Sequence, residues 1–552
     1  MSIKVDYRLH SGRVLNVFTQ EFQENTVWID QGRVIFVGDS SAYEAKESID
    51  CSGKYLVPGL IDAHLHIESS LLTPSEFGRL SLKQGVTRIF ADPHEIASVA
   101  GVSGIQYMID SAKKTPLHIH YMLPSSVPAT NFEHAGATLD AEALKPFYQH
   151  KEVAGLAEVM DYPAVANGDD DMLQKIKDAQ EAGKHVDGHG AGLGPDQLAV
   201  YRAYGIDTDH EATSVKEALD RVSAGMNVFI REGTVERDEK ALLPAVSEAN
   251  QRHFAFATDD KSAKDIQDEG SINFNVALAI EEGIAPEMAY TMASLNAAQA
   301  HHLQNVGAIA PGFEADLVIL DDLKAVAVAR TMVSGEFFED QKQPVLWLPG
   351  QQINLSFEES NLALPLDADK SAHVIEIEPH HITTKHVIEK VSVDASGQFT
   401  PDINHAKVAV IERYHDLGYG LGIIKGLNLR QGAIASTIAH DSHNVIVAGQ
   451  NDKDMAIAVT ELKKIGGGQV VVNNGKVTAL PLPIGGLMSD KSYEELIEGQ
   501  DRLNAAFAEI SDLTFDPFLT LSFMALPVIP SLKITDQGLF DVEKFEFIGI
   551  QD

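Results

Sequence analysis

At residues 60–66 the sequence reads Leu60-Ile61-Asp62-Ala63-His64-Leu65-His66, directly after Val57-Pro58-Gly59. This mostly apolar run is typical of a short buried strand, and two histidines two residues apart on a strand point to the same face. Two parallel imidazoles at the end of a strand are the beginning of a metal site. An isolated His-x-His pair occurs more often on a solvated strand face, so the metal interpretation depends on further ligands at the ends of later strands.

Seven more apolar runs of strand length follow, and each run precedes a segment long enough for a helix. They span residues 86–92, 118–123, 153–159, 185–189, 205–210, 226–230 and 254–259. Together with residues 60–66 they make eight units, which is the count of a closed β/α barrel rather than of a doubly wound sheet. We therefore predict an α/β fold with a (β/α)8 TIM-like barrel at residues 57–305, whose active site lies where the strands end.

The regions on either side of the barrel have a different character. Residues 1–56 and 306–350 contain short alternating runs separated by polar turns, which predicts one small composite β domain built from both flanks. Residues 351–552 contain further apolar strand runs and glycine-rich turns, and they form a predicted additional C-terminal α+β domain. No phosphate-binding loop or dinucleotide motif follows a suitable strand, so a nucleotide cofactor is not expected.

The composition restricts the partners. The chain has 80 acidic and 43 basic residues, and its formal net charge of -37 argues against binding nucleic acid or an anionic membrane through a general electrostatic surface. The one cysteine, Cys51, excludes an intrachain disulfide and a cysteine-built zinc site. No apolar signal core or membrane-length run is found, so we expect a soluble cytoplasmic protein with no nucleic-acid and no membrane partner.

Polar residues follow most of the predicted barrel strands. The potential metal ligands among them are His64, His66, Glu158, His189, His210 and Asp259. Each alone is explained at least as well by a helix cap or a loop ion pair, but their joint placement on one rim is harder to explain in that way. Four imidazoles and two carboxylates are the ligand mixture that holds a pair of divalent transition ions.

The predicted arrangement divides these ligands between two ions. His64, His66 and Asp259 bind one ion, while His189 and His210 bind the other. Glu158, at the end of the fourth strand, lies between the two ions. Such a pair, ~3.5 to 4 Å apart, lowers the pKa of a shared water, so hydrolytic chemistry is predicted. Asp259 is also the predicted catalytic base, because a carboxylate that touches both metal and water can accept the proton of the attacking water.

Several longer motifs resemble those of one family. They are His66-Ile67-Glu68-Ser69-Ser70, Ala91-Asp92-Pro93-His94-Glu95-Ile96, Gly155-Leu156-Ala157-Glu158-Val159-Met160, Asp187-Gly188-His189, Thr258-Asp259-Asp260 and His440-Asp441-Ser442-His443-Asn444. With the opening stretch they resemble the amidohydrolase superfamily and, within it, the bacterial adenine deaminase family, over nearly the whole chain. Dihydroorotase- and hydantoinase-like members of the superfamily place a carboxylated lysine where this chain has Glu158.

The resemblance implies hydrolytic deamination of adenine to hypoxanthine and ammonia by a metal-bound hydroxide, in purine salvage. It also implies two divalent ions per chain, Mn²⁺ or Fe²⁺, with adenine and water as substrates, and a homo-oligomer. Three departures restrain the substrate assignment: Gly190-Ala191 follows His189, Lys261 stands where arginine is usual, and Ser126 replaces a cysteine. Lysine at position 261 replaces the planar guanidinium of arginine, which has several donors, with a single ammonium charge. This changes what the loop or the substrate can contact.

A second group of polar residues has less specific roles. Asp92 and Glu95 are candidate catalytic residues, and His94, Glu95, Asp260 and His443 are candidate contacts to the purine. The alternative interpretation of residues 92–95 is a hydrogen-bonded loop after the second strand. The alternative for His443 is a role within its own loop, or an additional metal site there.

Two other functions stay open on the sequence alone. One is a related amidohydrolase that acts on another aminopurine or on a cyclic amide, although Glu158 and the C-terminal motif count against the cyclic amide. The other is a barrel retained as a binding module. That hypothesis predicts damaged metal ligands, whereas all six positions carry competent ligands.

Overall fold

The chain begins with a sheet that precedes the barrel. A computed structural model describes residues 2–348, 353–379 and 381–551. The first strands are β1 (Ile3–Asn16), β2 (Glu21–Asp30), β3 (Arg33–Val37), β4 (Tyr43–Asp50) and β5 (Tyr55–Pro58). Leu9 and Val14 of β1 pack with Val27 and Ile29 of the antiparallel β2 in one buried apolar cluster. The alternation seen in the sequence therefore separates a small core from solvent.

Eight parallel strands then form the barrel. They are β6 (Leu60–Leu65), β7 (Val86–Ala91), β8 (His118–Leu123), β9 (Val153–Val159), β10 (His185–Gly188), β11 (Thr208–Asp209), β12 (Asn227–Arg231) and β13 (Phe254–Ala257). β6 to β10 pair in order, and so do β11 to β13. β13 closes against β6, because the Asp259 N–H donates to the His64 carbonyl oxygen at 3.0 Å and Asp259 bridges to Leu65. The predicted (β/α)8 fold class is confirmed.

The ends of the strands differ from the sequence prediction in ways that position the site. The predicted sixth strand, residues 205–210, is only 2 residues long, because Gly205 has φ 84° and forms the turn that follows the preceding helix. The first, fifth and eighth strands end shortly before His66, His189 and Asp259. These three side chains therefore project from loops at the carboxyl ends of the strands, where barrel active sites lie.

Helices connect the barrel strands and cover them. They are α1 (Pro74–Lys83), α2 (His94–Ala112), α3 (Ala141–Leu144), α4 (Tyr162–Asn167), α5 (Asp170–Glu181), α6 (Pro195–Ala203), α7 (Val215–Ser223), α8 (Glu239–Leu242), α9 (Ala263–Asp268), α10 (Ile272–Glu281), α11 (Pro286–Thr291) and α12 (Ala297–Ala300). Short 3-10 turns lie at Ile67–Ser70, Lys145–Gln149, Leu243–Ala245, Gln251–His253 and Glu359–Leu362, and a π turn lies at Met292–Asn296. In the described ranges, no helix combines the length and the apolar character that crossing a membrane requires.

Apolar side chains fill the barrel interior. The buried interior cluster contains Ile61, Ala63, Phe90, Met122, Ala157, Phe229, Ala255 and Ala257, which come from six different barrel strands. Because large and small side chains interdigitate here, the barrel is a packed core and not a pore. Polar side chains that could take part in a reaction therefore lie at the two ends of the barrel.

The chain returns to the first sheet after the barrel. The returning strands are β14 (Leu317–Asp322), β15 (Ala327–Val333) and β16 (Glu336–Phe337). β14 pairs antiparallel with β5, with Leu317 opposite Pro58 and Leu320 opposite Tyr55. Residues before and after the barrel thus form one sheet, in the order β16-β15-β14-β5-β1-β2-β3 with β4 beside β1.

The C-terminal region adds two further sheets. The larger one contains β17 (Ala372–Ile377), β18 (Thr384–Glu389), β19 (His405–Ile411), β20 (Tyr419–Lys425), β21 (Ala433–Ser436), β22 (Val445–Gly449), β23 (Gly468–Asn473) and β24 (Lys476–Pro481). The smaller sheet contains β25 (Leu532–Thr535), β26 (Gly538–Asp541) and β27 (Glu546–Ile548), and the helices are α13 (Asp452–Ile465), α14 (Tyr493–Ala508) and α15 (Pro517–Phe523).

The loop between β21 and β22 connects this region to the barrel. Within it, Asn444 Nδ2 donates to the carbonyl oxygen of His134 at 2.8 Å. The Ser489 N–H donates to the carbonyl oxygen of Leu71 at 2.8 Å. Since Leu71 follows the carboxyl end of β6, the C-terminal region lies over the mouth of the barrel.

Candidate metal centre and cavity

The first group of ligand atoms comes from the two strands that close the barrel. Nε2 of His66 lies 3.3 Å, and Nε2 of His64 3.7 Å, from Oδ1 of Asp259. All three residues are buried, and one ligand atom from each lies within 4.8 Å of the others. Donor atoms in a tetrahedral shell of a divalent ion are about 3.3 to 3.5 Å apart. The group therefore has the dimensions of one ion site.

The backbone holds Asp259 in an uncommon conformation. Its φ is 55°, in the left-handed region that residues other than glycine rarely adopt. Two backbone hydrogen bonds fix this conformation. The Asp259 N–H donates to the His64 carbonyl oxygen, and the Asp259 carbonyl oxygen accepts from the His66 N–H at 3.4 Å. Strain of this kind is typical of functional positions, because the surrounding fold must stabilise it.

The second group is built around Glu158 at the end of β9. Oε2 of Glu158 lies 2.7 Å from Nδ1 of His189 and 3.2 Å from Nε2 of His210. Oε1 of the same carboxylate lies 3.5 Å from Nε2 of His66, in the first group. Burial raises the pKa of Glu158, but hydrogen bonds from His189 and His210 more than offset it and hold the pKa well below its usual range. One ionised carboxylate thus faces both groups of histidines.

The partners of the imidazoles show that these residues fit divalent ions. Nδ1 of His64 lies 3.2 Å from the Asp187 carboxylate, and Nδ1 of His66 lies 3.2 Å from the carbonyl oxygen of Asp92. Such partners hold a proton on Nδ1 and leave Nε2 for a metal. Nε2 of His64 is buried and has no hydrogen-bond partner in the described part of the chain. A bound cation would supply the missing partner.

A cavity adjoins the two groups and has walls from both halves of the molecule. Beyond His66, Glu158, His189, His210 and Asp259, the barrel contributes His94, Glu95, Met160, Glu211, Arg231, Glu236 and Asp260. The C-terminal region contributes Ile382, His440, Asp441, Phe523, Leu526, Val528 and Ile529. The His440 ring stacks on Phe523, with centroids 4.8 Å apart and an angle of 13° between the planes. Apolar surface thus faces a set of acids and imidazoles.

Glu95 is an acidic residue of the cavity whose carboxylate lies between imidazoles. Both of its carboxylate oxygens are buried without a hydrogen-bond partner among the residues described. His66 Nδ1 lies 3.7 Å and His440 Nδ1 lies 3.9 Å from these oxygens. Burial raises the pKa of Glu95, although His66 and His94 act against it. The residue is placed to accept or donate a proton to a molecule in the cavity.

His94 and Asp260, two of the predicted purine contacts, also line the cavity. Nδ1 of His94 lies 3.0 Å from Oδ2 of Asp92, and its Nε2 lies 3.7 Å from Oδ1 of Asp441. Asp260 accepts a hydrogen bond from the Ser69 hydroxyl. Both side chains are therefore oriented by neighbours, as groups that read a ligand need to be.

Two residues expected in the cavity lie behind it. Asp92 does not line the cavity; its carboxylate contacts Nδ1 of His94 and its carbonyl oxygen faces Nδ1 of His66. His443 is fully buried and its Nδ1 lies 3.4 Å from the Ala439 N–H, because its φ of 54° turns it back into its own loop. The imidazole that reaches the cavity from this loop is His440 instead.

Some residues of the site had no role in the sequence interpretation. Asp187 supports His64, and Arg231 lies 3.1 Å from Oδ2 of Asp259 while it pairs with Glu211. Their positions at strand ends were a usable signal. Lys261 lies outside the cavity: its Nζ is 2.9 Å from Glu269 and donates to the Glu232 carbonyl oxygen at 3.2 Å, so it anchors the loop.

Comparison with known proteins extends this picture to the whole chain. The model of the family described as "Amidohydrolase family" matches residues 55–338, and that described as "Adenine deaminase C-terminal domain" matches residues 381–546. A protein named adenine deaminase from Leuconostoc mesenteroides is 63% identical over 552 residues, covering 100% of both chains. Proteins of the same name from Lactiplantibacillus plantarum and Geobacillus kaustophilus are 49% and 47% identical, covering 100% and 99% of this chain and 99% and 97% of their own.

Proposed function

This chain belongs to the amidohydrolase family and, over its full length, to the adenine deaminases within it, and we propose on that premise that it hydrolyses adenine to hypoxanthine and ammonia. The observation that carries the proposal is the extent of the relationship. It includes the C-terminal region, residues 381–546, which supplies one wall of the cavity beside the metal ligands. The barrel and the C-terminal region thus belong to one type of enzyme.

The proposed centre holds two divalent ions, Mn²⁺ or Fe²⁺. His64, His66 and Asp259 would hold one, His189 and His210 the other, with the Glu158 carboxylate shared between them. When bound, such a pair supplies hydroxide at neutral pH by lowering the pKa of water. The distances from Glu158 to histidines of both groups support this arrangement.

The proposed proton carrier is Asp259. Over the reaction a C6–O bond forms, the C6–N bond breaks and the nitrogen leaves as ammonia, so one proton of the attacking water must reach the departing nitrogen. Burial raises the pKa of Asp259, but His66, His210 and Arg231 hold it well below its usual range. The carboxylate is therefore ionised when water arrives and can accept the proton.

The cavity provides groups suited to a purine. Phe523 and Leu526 offer apolar surface for the ring, while Glu95, Asp260 and Asp441 offer oxygens for its edge. Because adenine carries both donors and acceptors on its edge, oriented carboxyl groups can discriminate it from bases that lack the amino group. We propose that Glu95, with His94 beside it, contacts the purine ring nitrogens.

Replacing Glu95 with glutamine is expected to lower kcat about 100-fold while the metal content stays unchanged. The amide keeps the shape of the side chain but cannot transfer a proton. Steady-state ammonia release and metal analysis of the same sample measure both quantities. Glu68→Gln is the matched control, because Glu68 is a buried neighbour whose pKa burial raises to about 8 and which does not line the cavity. An unchanged rate in Glu95→Gln would leave that residue a structural role only.

The proposed activity itself is tested by ammonia release from adenine by protein reconstituted with Mn²⁺. We expect turnover at about two ions per chain. A panel with other aminopurines and a cyclic amide, assayed on the same sample, addresses the alternative substrates. No turnover of adenine at full metal loading would reject it as the substrate, and no turnover of any compound would favour a binding module.

The proposed setting is purine salvage in the cytoplasm, where the single buried Cys51 stays reduced. The proposed assembly is a homo-oligomer, which size-exclusion chromatography with light scattering would measure directly.

A further inference from the structure

A second group of metal-ligating side chains lies at the opposite end of the barrel from the cavity. His185 begins β10, Asp207 immediately precedes β11, and His302 follows α12. Nδ1 of His185 lies 3.3 Å from Oδ1 of Asp207, and Nε2 of His302 lies 3.8 Å from Oδ2. One ligand atom from each residue lies within 4.8 Å of the other two. Two imidazoles and a carboxylate thus converge on one point.

The hydrogen bonds of His185 determine which ring nitrogen faces that point without a proton. Its Nε2 lies 3.0 Å from the Thr208 hydroxyl oxygen. That hydroxyl donates its own proton to the Asp187 carboxylate, so its oxygen must accept from Nε2–H of His185. In the neutral ring, Nδ1 therefore carries a lone pair directed at Asp207.

The contact between His185 and Asp207 is thus one between two acceptors. Nδ1 of His185 and Oδ1 of Asp207 are both buried and have no hydrogen-bond partner within the described residues. Two buried lone pairs 3.3 Å apart repel each other and lose the hydrogen bonds that water would give them. A cation between them would remove both costs.

We propose that His185, Asp207 and His302 bind a divalent transition-metal cation of the Zn²⁺ class, separate from the two ions of the catalytic centre. Two imidazole nitrogens, one carboxylate oxygen and a water satisfy the tetrahedral preference of Zn²⁺. The 3.3 Å between Nδ1 of His185 and Oδ1 of Asp207 matches the donor separations of about 3.3 to 3.5 Å in such a shell, and one ligand atom from each of the three residues lies within 4.8 Å of the others. The His302 side chain is exposed, so the ion can enter from solvent.

One neighbouring cation restricts how the site is built. Nη1 of Arg202 lies 3.7 Å from Oδ2 of Asp207 and competes with an ion for that oxygen. Oδ1, which faces His185, is therefore the oxygen that binds the metal. His301 is not a ligand, because its Nε2 faces the Ala63 carbonyl oxygen at 2.8 Å and its ring stacks on Phe90.

The proposed site is linked to the catalytic centre through two hydrogen bonds and one close charged contact. Thr208 joins His185 to Asp187, and the other oxygen of Asp187 lies 3.2 Å from Nδ1 of His64. Charge at the peripheral ion is thus three side chains away from a ligand of the catalytic pair. Because activity would report on both sites, metal stoichiometry is the measurement that separates them.

The test is the number of zinc ions that the full-length protein retains after equilibrium dialysis against Zn²⁺, measured by mass spectrometry of the metal. We expect His302→Ala and Asp207→Asn each to hold one ion per chain fewer than the wild type. The zinc affinity of the remaining peripheral ligands should fall at least about tenfold. His302→Ala removes an exposed side chain, so we expect the variant to fold as the wild type does.

His415→Ala is the matched control. His415 has a side chain 56% exposed that also lies 3.3 Å from a carboxylate, Glu412, whereas the His302 side chain is 61% exposed. The control should retain the wild-type number of ions. If His302→Ala and Asp207→Asn also retain that number, the site does not exist. Failure of adenine turnover would not affect this result, since the count is made without substrate.

Discussion

Replacing Glu158 with glutamine is expected to lower kcat/KM for adenine by about 10³-fold or more and to cost one of the two ions. The reason is that both oxygens are in use, Oε1 towards His66 at 3.5 Å and Oε2 towards His189 at 2.7 Å and His210 at 3.2 Å. Glutamine keeps the volume but loses the charge, and its amide NH₂ presents donors where a metal needs a lone pair.

Ammonia release and metal content of the same sample measure this effect. Glu133→Gln is the matched control: Glu133 and Glu158 are each 4% exposed, but burial raises the pKa of Glu133 well above its usual range. Glutamine therefore imitates the neutral form of Glu133, and that variant should keep both ions and near-normal activity. Full activity of Glu158→Gln with two ions bound would rule out the shared carboxylate.

Replacing Asp259 with asparagine is expected to lower kcat about 10³- to 10⁴-fold with a smaller change in metal content. Asparagine retains a ligand oxygen near His64 and His66, but it cannot accept a proton from water. It also tolerates the φ of 55° at this position better than other residues do. The variant thus removes the base while it preserves the backbone, which alanine would not do.

The comparison that isolates the proton transfer is Asp238→Asn. Asp238 lies 2.8 Å from Nε of Arg231, the same guanidinium whose Nη1 lies 3.1 Å from Asp259, yet it does not line the cavity. We expect its activity to stay within a few-fold of the wild type. Metal analysis and kcat on both variants decide the point: turnover of Asp259→Asn at the rate of Asp238→Asn would contradict the role of Asp259 as base.

The barrel and the grouping of its candidate metal ligands were predictable because both are encoded locally. A run such as residues 60–66 specifies a strand from its own residues, and its polar end falls at the barrel mouth by the rule of the fold. His64, His66 and Asp259 could be grouped in this way before any coordinates, and the structure brings them within 4.8 Å. The assignment of roles to these ligands remains a proposal that the two substitutions above test.

Which residues of the C-terminal region line the cavity was not predictable from local sequence patterns. Phe523 and Ile382 line the cavity, but each is an apolar residue far from the barrel in sequence, and nothing nearby distinguishes it from a core residue. Spacing in residues 440–444 could not tell which histidine faces the barrel, because the backbone reverses at His443. Likewise Asp92 and Glu95 are three residues apart at the start of α2. Only the structure shows that, of these two residues, Glu95 lines the cavity and Asp92 does not.

The pairing of β5 with β14 has a consequence for how the chain is made. Leu317 is synthesised about 260 residues after Pro58, its partner across the sheet. At ribosomal rates of about 5 to 20 residues per second, β5 waits on the order of 10 to 50 seconds for its neighbour. During that time Leu56 and Val57 offer an open, apolar strand edge, the kind of surface that other nascent chains and chaperones recognise. The first sheet to leave the ribosome is thus completed only after all eight barrel strands have been made.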